Sequence, residues 1–201
     1  MQLKNIAVFG YSRAKPTDTV FKQAVQVCQV LAENGLVIVN GGGPGVMRAA
    51  SQGAKAGGGK VIGVTFYPTE SEIYEGRDRQ NPIDEEIKTS NYVERTLKLL
   101  EIGDVYLVFR GGAGTISEFG MAWELGHLYF GHHKPVILYG KFWHKVLEVL
   151  KKYMLLVPDE LKVVTIVTNT DQVLGQLEKI EAKSGRIPHL HKKRSEAAFQ
   201  L

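Results

Sequence analysis

Two glycine-rich turns carry the pattern in this sequence best suited to chemistry. Gly41-Gly42-Gly43-Pro44-Gly45 and Gly111-Gly112-Ala113-Gly114-Thr115 each follow a short apolar run and open into a helical one. The first amides of a helix have no partner inside it, and the helix dipole adds about half a positive charge there. Glycine also lets an anion approach the backbone closely. A phosphate-bearing ligand is therefore expected, with the Thr115 hydroxyl as one more donor. The second turn lacks the spacing of the dinucleotide fingerprint and has no Gly-Lys-Ser/Thr, which disfavours NAD binding and ATP hydrolysis by those routes. Glu118 stands three residues after Thr115. Local grammar leaves it two readings, the acidic half of a capping box or a carboxylate facing the ligand. Arg95, beside Glu94, reads locally as a helix-surface arginine.

These residues need a frame that brings them together. Short apolar runs alternate with helical ones. Strands are expected at residues 6–10, 36–39, 61–64, 105–109, 136–139 and 163–167. Helices are expected at 18–34, 45–56, 91–102, 116–130, 142–153 and 171–182. The apolar face of the first helix, Val20, Ala24, Val27, Cys28 and Leu31, has helical spacing. Continuous Val/Ile/Leu strands between helices mean a parallel sheet covered on both faces. The expected fold is α/β, a Rossmann-like doubly wound parallel sheet in a single domain over residues 1–182. Ligands in such folds sit at the carboxyl ends of the strands, where both glycine turns lie. Ser12, at the exit of the first strand, shares that edge and could touch phosphate or base. Residues 67–89 are polar and without period, a long loop of the kind that is usually functional. Arg77 and Arg79 in it could close over an anion. Trp123 and Tyr129 read as core or self-association contacts.

The chain has 201 residues, enough to bury a core without a staple. Its one cysteine, Cys28, excludes an internal disulfide and fits a reducing cytosol, so the expected location is cytoplasmic. No run approaches the roughly 18–20 apolar residues of a membrane span, and the first ten residues have no signal layout. The net charge is +4. Residues 183–201 hold Lys183, Arg186, Lys192, Lys193 and Arg194 against Glu196, which is the whole excess. The body is therefore neutral and a poor general binder of polyanions. The basic C-terminal tail is expected to be solvated, with no specific nucleic acid and no membrane as partner.

Gly111-Gly112-Ala113-Gly114-Thr115-Ile116-Ser117-Glu118 resembles the Pro-Gly-Gly-x-Gly-Thr-x-x-Glu signature of the Lonely Guy family. Its members are phosphoribohydrolases that activate cytokinins. Asn40-Gly41-Gly42-Gly43-Pro44-Gly45-Val46-Met47 resembles the family's earlier glycine loop, and Gly131-His132-His133-Lys134-Pro135-Val136 its Gly-x-His-x-Lys-Pro-Val segment. Arg95 lies 23 residues before Glu118, the family spacing between arginine and glutamate. Three departures stand out. Arg110 replaces the signature proline, and Tyr92-Val93-Glu94-Arg95-Thr96 stands where the family has Met-His-x-Arg-Lys. Ser117 replaces a glutamate common in plant-type members.

The resemblance implies hydrolysis of a nucleoside 5′-monophosphate to free base and ribose 5-phosphate. Glu118 would face the positive charge that develops on the ribose, and Arg95 would orient it and keep it ionised. Gly111, Gly112, Gly114 and Thr115 would hold the 5′-phosphate, and Gly42 and Gly43 would form the facing wall. No metal and no cofactor are expected, and a homodimer or higher homo-oligomer is. The alternative is a non-catalytic protein that carries a nucleotide or the molybdenum cofactor's pterin in the same pocket.

Overall fold

A computed structural model of the chain describes residues 3–67, 76–129, 134–157 and 159–184. Among these residues there are seven strands and six helices. In chain order they are β1 (Asn5–Phe9), α1 (Thr19–Glu33), β2 (Val37–Asn40), α2 (Val46–Ala56), β3 (Val61–Phe66), β4 (Glu85–Thr89) and α3 (Tyr92–Ile102). Then follow β5 (Val105–Val108), α4 (Ala113–Leu128), β6 (Val136–Tyr139), α5 (Phe142–Tyr153), a 3₁₀ turn at Glu160–Val163, β7 (Val164–Val167) and α6 (Thr170–Ser184). The strands form one sheet in the order β4-β3-β2-β1-β5-β6-β7, every pair parallel. The expected α/β doubly wound architecture is what the chain adopts.

The inner strands β2, β5 and β6 are buried at every position, which is why they read as unbroken apolar runs. Each face of the sheet has its own core. Phe21, Val27 and Leu31 of α1, Ala49 and Ala54 of α2 and Leu177 of α6 pack on one face. Leu99 of α3, Phe119 of α4 and Trp143 and Leu147 of α5 pack on the other. The order of connections reverses between β1 and β5, and that switch point opens a crevice at the strands' carboxyl ends.

One expectation is corrected here. Residues 67–89 were expected to be loop throughout, yet Glu85–Thr89 is β4, paired with β3 from Ile62↔Glu85 to Phe66↔Thr89. An edge strand needs only one covered position, and Ile87 is the apolar side chain β4 offers. A single apolar residue among Glu, Glu, Lys and Thr leaves no period to read, and charge on an edge discourages further pairing. Residues 68–75 lie outside the described residues, as do Gly131, His132 and His133. Helix α6 continues to Ser184, two residues past the expected end of the domain. The expected tail from residue 185 onward lies outside the described residues.

Candidate functional site

A cavity of about 600 Å³ occupies the switch point. Its walls come from the ends of β1 and β3 and the starts of α2, α3 and α4. Ser12, Arg95, Gly112, Gly114, Thr115 and Glu118 all line it. Residues 23 apart in sequence thus meet in one crevice because α3 and α4 both pack on β1.

Arg95 is buried, not on the helix surface. The start of α3 is fixed by a capping box in which the Asn91 side chain accepts from Glu94 N (2.9 Å) and the Glu94 carboxylate accepts from Ser90 N (3.0 Å). Glu94 is therefore occupied with the cap, and Arg95 turns inward. Its Nε donates to the Val64 carbonyl at 3.0 Å, and Nη2 meets Met47 Sδ at 3.3 Å. Its guanidinium carbon lies 5.9 Å from the Phe66 ring centre and 5.8 Å from that of Tyr92. A Cβ at Gly41 would overlap the guanidinium, so glycine is required there by close approach.

Glu118 is also buried, with Oε1 3.8 Å from Arg95 Nη1. Burial pushes its carboxyl up to about 7, and the nearby guanidinium only partly offsets this. The expectation that Arg95 keeps Glu118 ionised is thus corrected. At 3.8 Å the attraction does not outweigh desolvation.

The capping-box reading of Glu118 is overturned by where α4 begins. The helix starts at Ala113 with Gly112 as its N-cap, three residues earlier than expected. Thr115 therefore lies inside the first turn, and Glu118 projects from the second turn into the cavity. Ile116 N donates to Gly112 O at 3.0 Å, so the amides of Ala113, Gly114 and Thr115 precede the helical ladder and border the cavity. This turn suits an anion. The first glycine turn is arranged differently. Gly42 N donates to Asn40 Oδ1 (2.8 Å), Gly42 O accepts from Asp78 N (2.9 Å), and Gly43 O accepts from Asn81 Nδ2 (2.8 Å). Val46 N, first in α2, donates to Tyr11 O at 2.9 Å. Gly42 and Gly43 are not among the lining residues; Gly41 is.

Other expected residues also lie off the cavity wall. Gly111 is covered by the Thr115 side chain, which a Cβ would strike. Arg77 donates to the carbonyls of Asp78 and Asn81, clamping its own loop, and Arg79 is exposed. Trp123 stacks on Phe119 and donates to Glu160 O, a core role, while Tyr129 is exposed. Arg110 packs on the Phe142 ring, Val93 is exposed, and Thr96 donates to Tyr92 O. Arg110, Val93, Thr96 and Ser117 do not line the cavity, whereas Tyr92, which stands at the family's methionine, does. Lys134 donates to Leu100 O and Glu101 O and caps the C-terminus of α3; burial lowers its amine to about 8. Among the described residues no group of three His, Cys, Asp or Glu could hold a metal ion.

Sequence reading gave no role to Arg13, Met47, Phe66 or Tyr92, which line the cavity together with Val8, Phe9, Gly10 and Tyr11. The one signal for Tyr92 and Phe66 was their position at a helix start and a strand end on the ligand-binding edge.

Comparison with known proteins places the chain in a family and finds its fold elsewhere. A cytokinin riboside 5′-monophosphate phosphoribohydrolase from Mycobacterium tuberculosis is 32% identical over 136 residues, 67% of this chain and 70% of that protein. A molybdenum cofactor binding protein from Rippkaea orientalis superposes with a TM-score of 0.69 at 27% identity, covering 90% of this chain and 99% of that one. The molybdenum cofactor carrier protein of Chlamydomonas reinhardtii superposes at 0.62 with 21% identity over 90% of this chain and 99% of its own, which speaks for the fold alone. The model of the SLOG cluster4 family matches residues 3–173, spanning all seven strands and the cavity they build, and the chain belongs to that family.

Proposed function

We propose that the protein is a divergent Lonely Guy-type phosphoribohydrolase. It would cleave the N-glycosidic bond of a nucleoside 5′-monophosphate to free base and ribose 5-phosphate. The observation that carries this reading is the buried Arg95–Glu118 pair beside the first turn of α4, in one cavity. The 5′-phosphate lies on the amides of Ala113, Gly114 and Thr115, which sets the ribose over Glu118. As the bond to the base breaks, positive charge builds on the sugar ring, and the Glu118 carboxylate opposes it. Water adds to the anomeric carbon, and the base leaves with a proton. Arg95 holds the carboxylate in place and favours its charged form. Ser12 and Arg13, in the loop after β1, also line the cavity. The 32% identity to a phosphoribohydrolase supports the reading, as does the fact that Arg110, Val93 and Thr96 stand away from the cavity.

A second reading, a carrier of the molybdenum cofactor's pterin, is favoured by the Rippkaea orientalis superposition. It uses the same turn for the cargo's phosphate and asks nothing of Glu118. Free-base release across a panel of nucleoside 5′-monophosphates, beside a thermal-shift screen that includes pterins, separates the two. Base release in the wild type supports hydrolysis. Its absence for every nucleotide, with stabilisation by a pterin, supports carriage. The homodimer belongs to the first reading and would use the outer face of α4, where Ile116 and Leu128 are exposed.

A further inference from the structure

We propose that Tyr92 is a positioning residue that braces both members of the Arg95–Glu118 pair, its ring against the guanidinium and its hydroxyl on the first turn of α4. The proposal rests on the reading of that pair as the reacting centre. Tyr92 and Arg95 are three residues apart at the start of α3, so they share a face of one turn. The guanidinium carbon lies 5.8 Å from the Tyr92 ring centre, within cation–π range. Phe66 meets Tyr92 edge-on, with centroids 6.1 Å apart at 78°, and lies 5.9 Å from the same guanidinium. The two rings make a corner that limits the guanidinium on two sides, and the Gly41 backbone and the Met47 sulfur limit it on others.

The second half of the brace crosses to α4. Tyr92 Oη donates to Gly114 O at 3.4 Å. In the helical ladder that carbonyl is also the acceptor for the N–H four residues on, which is that of Glu118. Tyr92 thus touches the peptide group that fixes the Glu118 backbone. It also reaches the turn whose amides are assigned to the phosphate. One half-buried side chain links the arginine helix, the glutamate helix and the anion turn. The ion pair it serves is loose, at 3.8 Å, and the attraction falls only as the inverse of distance, so the carboxylate loses it when Arg95 swings out of its corner rather than when it shifts slightly. The titratable groups that line the cavity with Glu118 are Arg95 and Tyr92 from α3 and Tyr11 and Arg13 from the β1–α1 loop. Of these only Arg95 forms an ion pair with it.

The test compares the full-length wild type with Tyr92→Phe, Tyr92→Leu and Tyr92→Met. Three quantities are read: the titration midpoint of the Glu118 carboxyl by ¹³C NMR, AMP affinity by thermal shift, and kcat and KM for base release. Tyr92→Phe keeps the ring, so the midpoint should stay at the wild-type value while kcat falls about threefold, the size of one weak hydrogen bond. The ring-free variants let Arg95 drift. Their midpoint should rise by about one pH unit and kcat fall about tenfold, the scale of one cation–π contact, with KM and AMP affinity within about twofold of wild type. Wild-type midpoints in both Tyr92→Leu and Tyr92→Met would overturn the proposal. Should the wild type release no base, the hydrolase reading fails while the NMR midpoints still decide on the brace. Two ring-free variants of different shape guard against one failing to fold.

Discussion

Glu118 is a carboxyl held at a cost. Its folded value, about 7, lies above the ordinary 4.5 it has in the unfolded chain. Between those values the folded state binds more protons than the unfolded one, so this group's contribution lowers stability as pH rises from about 4.5 to 7. The loss is on the order of 3 kcal/mol, complete above pH 7. Glu118→Gln should therefore flatten the fall in melting temperature between pH 5 and pH 8, and it should cut base release about 10²–10³-fold. A variant whose melting profile keeps the wild-type slope would show that another group carries it. Gly41→Ala is the complementary probe. A methyl there displaces the Arg95 guanidinium. Stability should drop by about 1–3 kcal/mol, as overpacking does, and turnover should fall more steeply than nucleotide affinity. The chemistry-bearing residues themselves were legible: Arg95 and Glu118 stand out by motif and interval. The close approach at Gly41 was not, because the atom a side chain there would meet comes from residue 95, on α3, two strands later.

Helix α4 shows how a boundary decides a role. With the start placed at Ile116, Thr115 and Glu118 form a plausible capping box. With the start at Ala113, the same residues line a cavity. Gly112 and Gly114 obscure that start because glycine lowers helix propensity while still allowing the helical conformation. The amides at this start give a further expectation. AMP should raise the melting temperature far more than adenosine does, by the equivalent of about 3 kcal/mol at a hundredfold excess over its Kd. Equal shifts from the two ligands would remove the anion turn from the mechanism. On α3, Lys134 caps the last carbonyls from outside. Lys134→Met should cost about 1–3 kcal/mol in urea unfolding while AMP affinity is unchanged, because the side chain stands at the far end of α3 from Arg95. Strand β4 marks the opposite case. Its neighbour β3 creates it by pairing, and its own residues carry almost no strand signal.

The whole molecule is organised around the reversal of strand order between β1 and β5. That reversal opens the crevice, and the crevice is where the first turn of α4 meets Arg95. Among the described residues no helix is long and apolar enough to cross a membrane. The basic residues from Arg186 onward follow α6, whose last turn is tied to the sheet by the Leu3 N bond to Glu181 Oε1 at 3.0 Å. Truncation after Ser184 should leave the melting temperature within a few degrees and the AMP response intact. A collapse in either, read by thermal shift, would mean that the tail docks on the body. If two copies associate through α4, Leu128→Glu should lower the molar mass seen by light scattering and leave secondary structure unchanged by circular dichroism.

Alternating apolar runs were enough to determine the α/β class, because buried parallel strands and amphipathic helices each impose a local period that needs no partner to be read. Motif spacing was enough to nominate Arg95, Glu118 and the α4 turn. Whether a charged group is buried, and what it then titrates as, depends on atoms from β3, α2 and α3 converging on one point. The tertiary structure alone decided that burial raises the Glu118 carboxyl, that the first glycine turn contributes Gly41 and not Gly42 or Gly43 to the cavity, and that Tyr92 stands against Arg95. Those outcomes follow from distances of a few ångströms between residues tens of positions apart, and no periodicity along the chain encodes them.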